Sequence, residues 1–273
     1  MITKVETRNS IGELLSLTLD DVTDGYIVED IGGLGPVKAS ISSSPYAKRP
    51  GAKFQSSRRE SRNILFKVGL EPDYSIDTVF SLRQKLYDYF LTESQVFMKF
   101  YLGDGSIWDI DGIVESCDPD IFTKEPRVNI SVICHEPDFI DITDEEVTGD
   151  TTSTSTETLI SYPGNVKTGF VFVLNVDRTL TDFTIYMRGP DDAIRSLDFS
   201  ADLEAGDVLT INTVEGSKGI TLVRSGTTSS LLYGKPDESP WLDLAKGNNY
   251  IRVYATGDPI PWELTYNARY GGV

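Results

Sequence analysis

The stretch RNILFKVGLEPDYSIDTVFSLRQKLYDYF, Arg62 to Phe90, changes its hydrophobic period part-way along. Over residues 62–70, Ile64, Phe66 and Val68 recur at every second position and face one way, the period of a strand. From Tyr74 onward the spacing lengthens. Val79, Leu82, Leu86 and Phe90 stand at i, i+3, i+7 and i+11, which predicts a single apolar helical stripe. Ser75 is the expected N-cap, with Asp77 in the first turn, where negative charge is favoured. The spacing predicts a helix over about 76–92, and no other segment carries a comparable pattern.

On either side of this stretch the chain reads as strands. In IGELLSLTLD (11–20) Leu15, Leu17 and Leu19 share one face. GYIVEDIGGLGP (25–36) reads as a second strand ending in a glycine-rich turn, and VKASISSS (37–44) begins a third. Downstream, 95–102, 106–117 and 127–134 are strands, with GDG (103–105) closing a hairpin between the first two. Residues 1–140 are therefore expected to form one domain of about seven strands and one helix.

Residues 141–164, DITDEEVTGDTTSTSTETLISYPG, hold six acids before Leu159 and no base. Their Thr/Ser run builds no core, so the segment reads as an acidic linker or exposed loop. Beyond it, 169–175, 182–188, 206–213, 218–223, 229–234, 249–255 and 262–267 read as short strands at regular spacing. VEGS (214–217) is a hairpin loop, and the pattern implies a β-sandwich over 165–273.

Composition bounds the function. The chain has 273 residues, 39% hydrophobic and 25% charged, enough for two cores. Its net charge of −17 opposes general nucleic-acid binding. The start has no signal-peptide run, and no stretch reaches the ~18 apolar residues of a membrane span. No cofactor is expected. Cys117 and Cys134 have neither metal nor redox spacing. They read as buried thiols, with a cross-strand disulfide the alternative. His135 follows Cys134 directly, and neighbours in a strand point to opposite faces, which rules out a Cys–His dyad. One His and two distant Cys make no zinc site. The glycines at 32–36 precede no helix and read as a turn rather than a phosphate loop. The acid pairs at 20–21, 145–146 and 191–192 do not by themselves make a glycosidase, and 190–192 lacks the ligand count of a calcium loop. Trp241, Tyr250, Tyr254 and Trp262 are weak candidates for sugar or partner contacts, with core packing the competing reading.

One segment breaks the charge pattern. SPYAKRPGAKFQSSRRESRN (44–63) carries Lys48, Arg49, Lys53, Arg58, Arg59 and Arg62 against a single acid, Glu60. Tyr46 and Phe54 lie among them. A solvated loop, a nucleic-acid contact and an arm onto another subunit compete here. The stretch over about 43–61 exceeds the ~12–15 residues at which structureless loops become uncommon. Folded as a hairpin it would reach roughly 30 Å, across a neighbour. That neighbour is an equally acidic copy, so attraction favours the arm. Lys48, Arg49, Lys53, Phe54, Arg58, Arg59 and Arg62 are its expected contact residues.

Several segments, in order, resemble the distal tail proteins of long-tailed bacteriophages, a baseplate-hub family. They are LLSLTLDDVTDGYIVEDIGGLGP, RNILFKVGL with LRQKLYDYF, VNISVICHEPDF (128–139), GDVLTINTVEGSKGITL and SPWLDLAKGNNYIRV. The resemblance spans nearly the whole chain, with the Thr/Ser linker and the acidic balance as departures. It implies a mainly β fold: a β-barrel-like or split-barrel N-terminal domain with one helix, and a galectin-like C-terminal sandwich. It further implies a non-enzymatic virion component of the tail tip. A homohexameric ring would join the tail tube protein to the tip or fibre hub, and the hairpin would be the intersubunit belt. The sandwich would dock receptor-binding proteins or a host glycan, and DNA would meet the ring only in transit. The alternative is a carbohydrate- or receptor-binding sandwich acting in host adsorption.

Overall fold

The computed structural model describes residues 1–19, 21–120 and 123–273. Asp20, half of the first acid pair, lies outside the described residues. The chain forms two compact units: Met1–Ile142 with Tyr270–Val273, and Thr143–Arg269. The first contains β1 (Ile2–Asn9), β2 (Leu14–Thr18), β3 (Tyr26–Gly32), β4 (Ala39–Pro45), β5 (Ala52–Arg59), β6 (Arg62–Leu70), α1 (Val79–Tyr89), β7 (Gln95–Leu102), β8 (Ile107–Pro119) and β9 (Arg127–Cys134). β10 (Phe139–Asp150) carries the chain out of the first unit.

In the first unit the antiparallel order is β2-β1-β7-β8-β9-β6-β3. β2 and β3, at the two ends of that order, approach each other without a ladder between them, so the strands make a split barrel. β6 buries Arg62, Ile64, Phe66 and Val68 on one face. α1 packs Leu82, Leu86 and Phe90 into the same core, with the Phe90 and Phe66 rings 6.2 Å apart. The buried Tyr26 hydroxyl donates to the Leu82 carbonyl at 2.8 Å and locks the helix to β3. The cap differs from the expected one. Thr78 is the N-cap: its Oγ1 accepts from the Ser81 N–H at 3.1 Å, and the Ser81 Oγ accepts from the Thr78 N–H at 2.8 Å. Ser75 is drawn instead into a turn by Asp73, which accepts from both its N–H and its hydroxyl. Asp77 therefore precedes the helix.

The second unit continues with β11 (Thr158–Tyr162), β12 (Val171–Asn175), β13 (Leu180–Arg188), β14 (Ile194–Leu203), β15 (Val208–Asn212), β16 (Gly219–Arg224), β17 (Thr227–Ser230), β18 (Gly247–Tyr254) and β19 (Pro261–Tyr270). One sheet runs β17-β16-β15-β12-β19, with the distal half of β10 beside β19, and the other runs β11-β18-β13-β14. Their inner faces meet in an aromatic core of Phe172, Phe183, Phe199 and Trp262, with ring centroids 5.2–6.4 Å apart. This is the expected sandwich.

The segment 141–164 is not a linker. It forms most of β10 and all of β11, separated by a short Thr/Ser turn. Thr and Val favour extended backbone, and Asp144, Glu145, Glu146 and Asp150 sit on exposed positions of β10, where strands tolerate charge. Gly149 is required there, because a Cβ would come within 2.5 Å of the Trp262 ring. Three further readings need correction. β1 and β14 are additional strands, and 229–234 is the end of β17 followed by a 3-10 turn at Leu232–Gly234.

Two outcomes follow. Leu86→Ala should lower unfolding free energy by about 2–5 kcal/mol in urea titrations, since it opens a cavity under a fully buried side chain. In the second unit, Asp207 accepts from Arg224 at 2.5 and 2.9 Å and from the Glu204 N–H at 2.8 Å. The Arg224 bonds hold its carboxyl below the usual range, against the opposing effect of burial. A depressed folded-state pKa contributes stability above the unfolded value, ~4, and loses it as pH falls through the folded value. Asp207→Asn should therefore cost stability at neutral pH and flatten the acid limb, measured as thermal midpoint against pH.

Candidate functional site

The basic stretch folds as the predicted hairpin. β4 and β5 form their own two-stranded sheet, from Ala39 opposite Arg59 to Pro45 opposite Ala52. Every residue of β5 is exposed, and β4 is nearly as open. Cross-strand partners point to the same side. Ile41, Ser43 and Phe54 therefore share one face, and Ile41 and Phe54 are 67% and 61% exposed. A bulge between Ser42 and Ser43 gives the other face Gln55, which bonds Ser42 and Ser44. At the tip Arg49 stacks on Tyr46 at 3.9 Å. Among the described residues no carboxylate lies within ion-pair distance of Lys48, Arg49, Lys53 or Arg58.

The other two basic residues are used inside the first unit. Arg59 forms a bidentate ion pair with Asp138, whose side chain is 7% exposed. Arg62 is 1% exposed and therefore not available to a neighbour, contrary to expectation. Its guanidinium donates to the carbonyls of Pro137 (2.7 Å), Gly33 (2.5 Å), Gly35 (2.8 Å) and Gly271 (2.7 Å). It also lies 4.5 Å over the Phe139 ring. Burial depresses its pKa, while Cys134 and Asp138 act in the opposite sense, and an arginine remains charged at any working pH. The turn at 32–36 thus serves to present carbonyls. Gly33 adopts φ +81°, and a Cβ there would collide with the Asn63 carbonyl. The signal for Arg62 was its parity: it shares the inward face of Ile64, Phe66 and Val68.

Together these contacts fix the root of the hairpin. Arg59 closes the end of β5, the Glu60 N–H donates to the Lys38 carbonyl at 2.9 Å, and Arg62 begins β6. The arm leaves a rigid base and carries unpaired cations and apolar side chains outward.

Cys117 and Cys134 are free thiols pushed up to about 12 by burial, and His135 lies exposed just beyond β9. Among the described residues no group of His, Cys, Asp and Glu has metal-site geometry, and no helix is long and apolar enough to cross a membrane. Asp191 and Asp192 pair with Arg195 and Arg188. A cleft of about 410 Å³ includes Glu6, Arg8, Leu14, Phe97, Lys99 and Asp109 in its lining. Of the aromatic candidates, Trp262 is core at 3% exposed. Tyr250 and Tyr254 share the outward face of β18, with Arg188 4.1 Å over Tyr250, and Trp241 lies under Lys235 at 5.2 Å.

The fold has a counterpart among known structures. The crystal structure of the phage SPP1 Dit protein superposes with a TM-score of 0.70 at 14% identity, covering 96% of this chain and 98% of that one. The fold is the SPP1 Dit fold. Dit is described there as a paradigm of the hub adsorption apparatus in phages infecting Gram-positive hosts. The phage P2 baseplate in its calcium-activated conformation aligns over 100% of both chains at 11% identity, with a TM-score of 0.46. No family model matches the sequence, and no curated protein matches it.

Arg62→Met should remove four hydrogen bonds to carbonyls of exposed or half-buried residues around a buried side chain, each worth about 0.5–1.5 kcal/mol, or more for a charged donor. We expect a loss of several kcal/mol by urea unfolding and faster hydrogen exchange at residues 33–36 and 270–273. Arg59→Ala, with its partly exposed side chain, should cost less.

Proposed function

We propose that this protein is a structural component of a phage tail tip, without a catalytic role. Six copies form a closed ring that joins the tail tube to the tip or fibre hub, and the sandwich docks receptor-binding parts. The observation that carries this reading is the β4–β5 hairpin, an arm exposed along its whole length. A two-stranded ribbon is at best marginally stable alone in water. One that also exposes Ile41 and Phe54 gains from being covered. The rest of the chain supplies an acidic partner: five bases and no acid lie within residues 44–59, in a protein of net charge −17. An arm contacting a different patch on the next copy makes a heterologous contact, which closes into a ring when the rotation permits. The likeness to SPP1 Dit over nearly both chains supports the same role.

The test is a truncation that spares Arg59 and Arg62. Replacing Ser43–Gln55 with Asn-Gly should leave the circular dichroism spectrum and thermal midpoint close to wild type. Light scattering should then show a monomer where the full chain gives a six-subunit mass. A truncated protein that still forms hexamers would remove the hairpin from the assembly.

A further inference from the structure

Apart from Ile11, Leu14, Leu65 and the start of the chain, the large exposed apolar side chains of the first unit lie mainly in two places. One is the hairpin. The other is the outer side of α1 and the turn before it: Tyr74 (79% exposed), Ile76 (80%), Phe80 (63%) and Leu91 (62%). Phe80 and Tyr87 are seven residues apart, two turns of helix, and Leu91 follows just past the C-cap. They form a second stripe, turned about 120° from the buried one of Leu82 and Leu86. Phe80, with Arg83 6.0 Å over its ring, and Leu91 are exposed while Tyr87 between them is half-buried, so this second apolar stripe is largely unpartnered.

Its surroundings are acidic. Residues 71–93 hold Glu71, Asp73, Asp77, Asp88 and Glu93 against Arg83 and Lys85. The hairpin is the reverse: apolar on one face through Ile41 and Phe54, and cationic through Lys48, Arg49, Lys53 and Arg58. Each patch is exposed in a single chain, so neither covers the other within one copy.

We propose that the outer face of α1 in one copy receives the apolar face of the β4–β5 hairpin of a second copy, with Phe54 seated against Phe80. This rests on the ring reading and names the surface that the arm grips. Apolar burial supplies the contact, and the field between a cationic ribbon and an acidic helix surround orients it. Ile11 and Leu14, beside the cleft lined by Glu6, Arg8, Lys99, Asp109 and Asp111, form a smaller exposed apolar pair and serve as the comparison site. The two patches differ, so the contact runs head to tail and repeats around an axis.

Disulfide trapping in the full-length chain tests this. The native thiols are buried or half-buried, so introduced cysteines report selectively. Phe54→Cys with Phe80→Cys should give, under mild oxidant, a non-reducing ladder extending to six copies, while either single variant gives none beyond dimer. Phe80→Asp should raise the concentration needed for assembly at least tenfold. Its thermal midpoint should stay close to wild type, because the side chain is mostly in water. If the wild-type protein assembles but Phe54→Cys cross-links to Leu14→Cys and not to Phe80→Cys, the α1 docking surface is wrong and the ring reading stands. If the wild-type protein stays monomeric at every concentration, the ring reading itself falls, and the docking surface with it.

Discussion

A guanidinium buried among carbonyls holds the first unit together. Among the described residues no carboxylate pairs with Arg62; four of its five N–H groups go to the carbonyls of Gly33, Gly35, Pro137 and Gly271. Burying a charge is costly unless it is fully hydrogen-bonded, and the planar fork of arginine suits that task better than lysine. It ties together the turn after β3, the start of β6, the approach to β10 and residues 270–273 at one point. Phe139 beneath the guanidinium and Phe100 edge-on to Phe139 at 5.4 Å extend this fixed point into the apolar core.

The arm depends on that base. A ribbon of two strands has no core of its own, and both of its outer edges present unpaired backbone groups. Its serines and cations suit those edges to water. Its direction is set where Arg59 meets the buried Asp138 carboxylate and where β6 enters the barrel. The basic residues therefore divide by position, those at the root stabilising the unit and those beyond it facing solvent.

Much of this was legible in the sequence, and the failures have physical causes. Ile64, Phe66 and Val68 placed β6 because burial on one face of a strand imposes period two. The same period carried Arg62 inward, a consequence hidden by the habit of assigning charged residues to the surface. The α1 stripe was plain, but its cap was not. Asp73 captures Ser75, leaving Thr78 and Ser81 to cap each other, a competition between local hydrogen bonds that spacing does not reveal. Residues 141–164 looked unable to fold because their acids dominate the composition. A strand needs only one inward face, and Val147 and Ile160 supply part of it. Trp262 stood among surface aromatics by residue type, whereas its alternation with Leu264 and Tyr266 puts it in the sandwich core. The second apolar stripe of α1, Phe80, Tyr87 and Leu91, is spaced as regularly in the sequence as the first but is masked by it.

The last four residues belong to the first unit. Tyr270 stacks on Trp108 at 4.1 Å, Gly271 completes the set around Arg62, and the Val273 N–H reaches the Leu34 carbonyl at 3.0 Å. The sandwich is thus an insertion within the chain of the barrel. During synthesis the ribosome must therefore deliver all of residues 143–269 before Tyr270–Val273 can close the first unit. Until then the arginine has an empty position where Gly271 will sit, so the anchor of the arm is set late although the arm itself is made early.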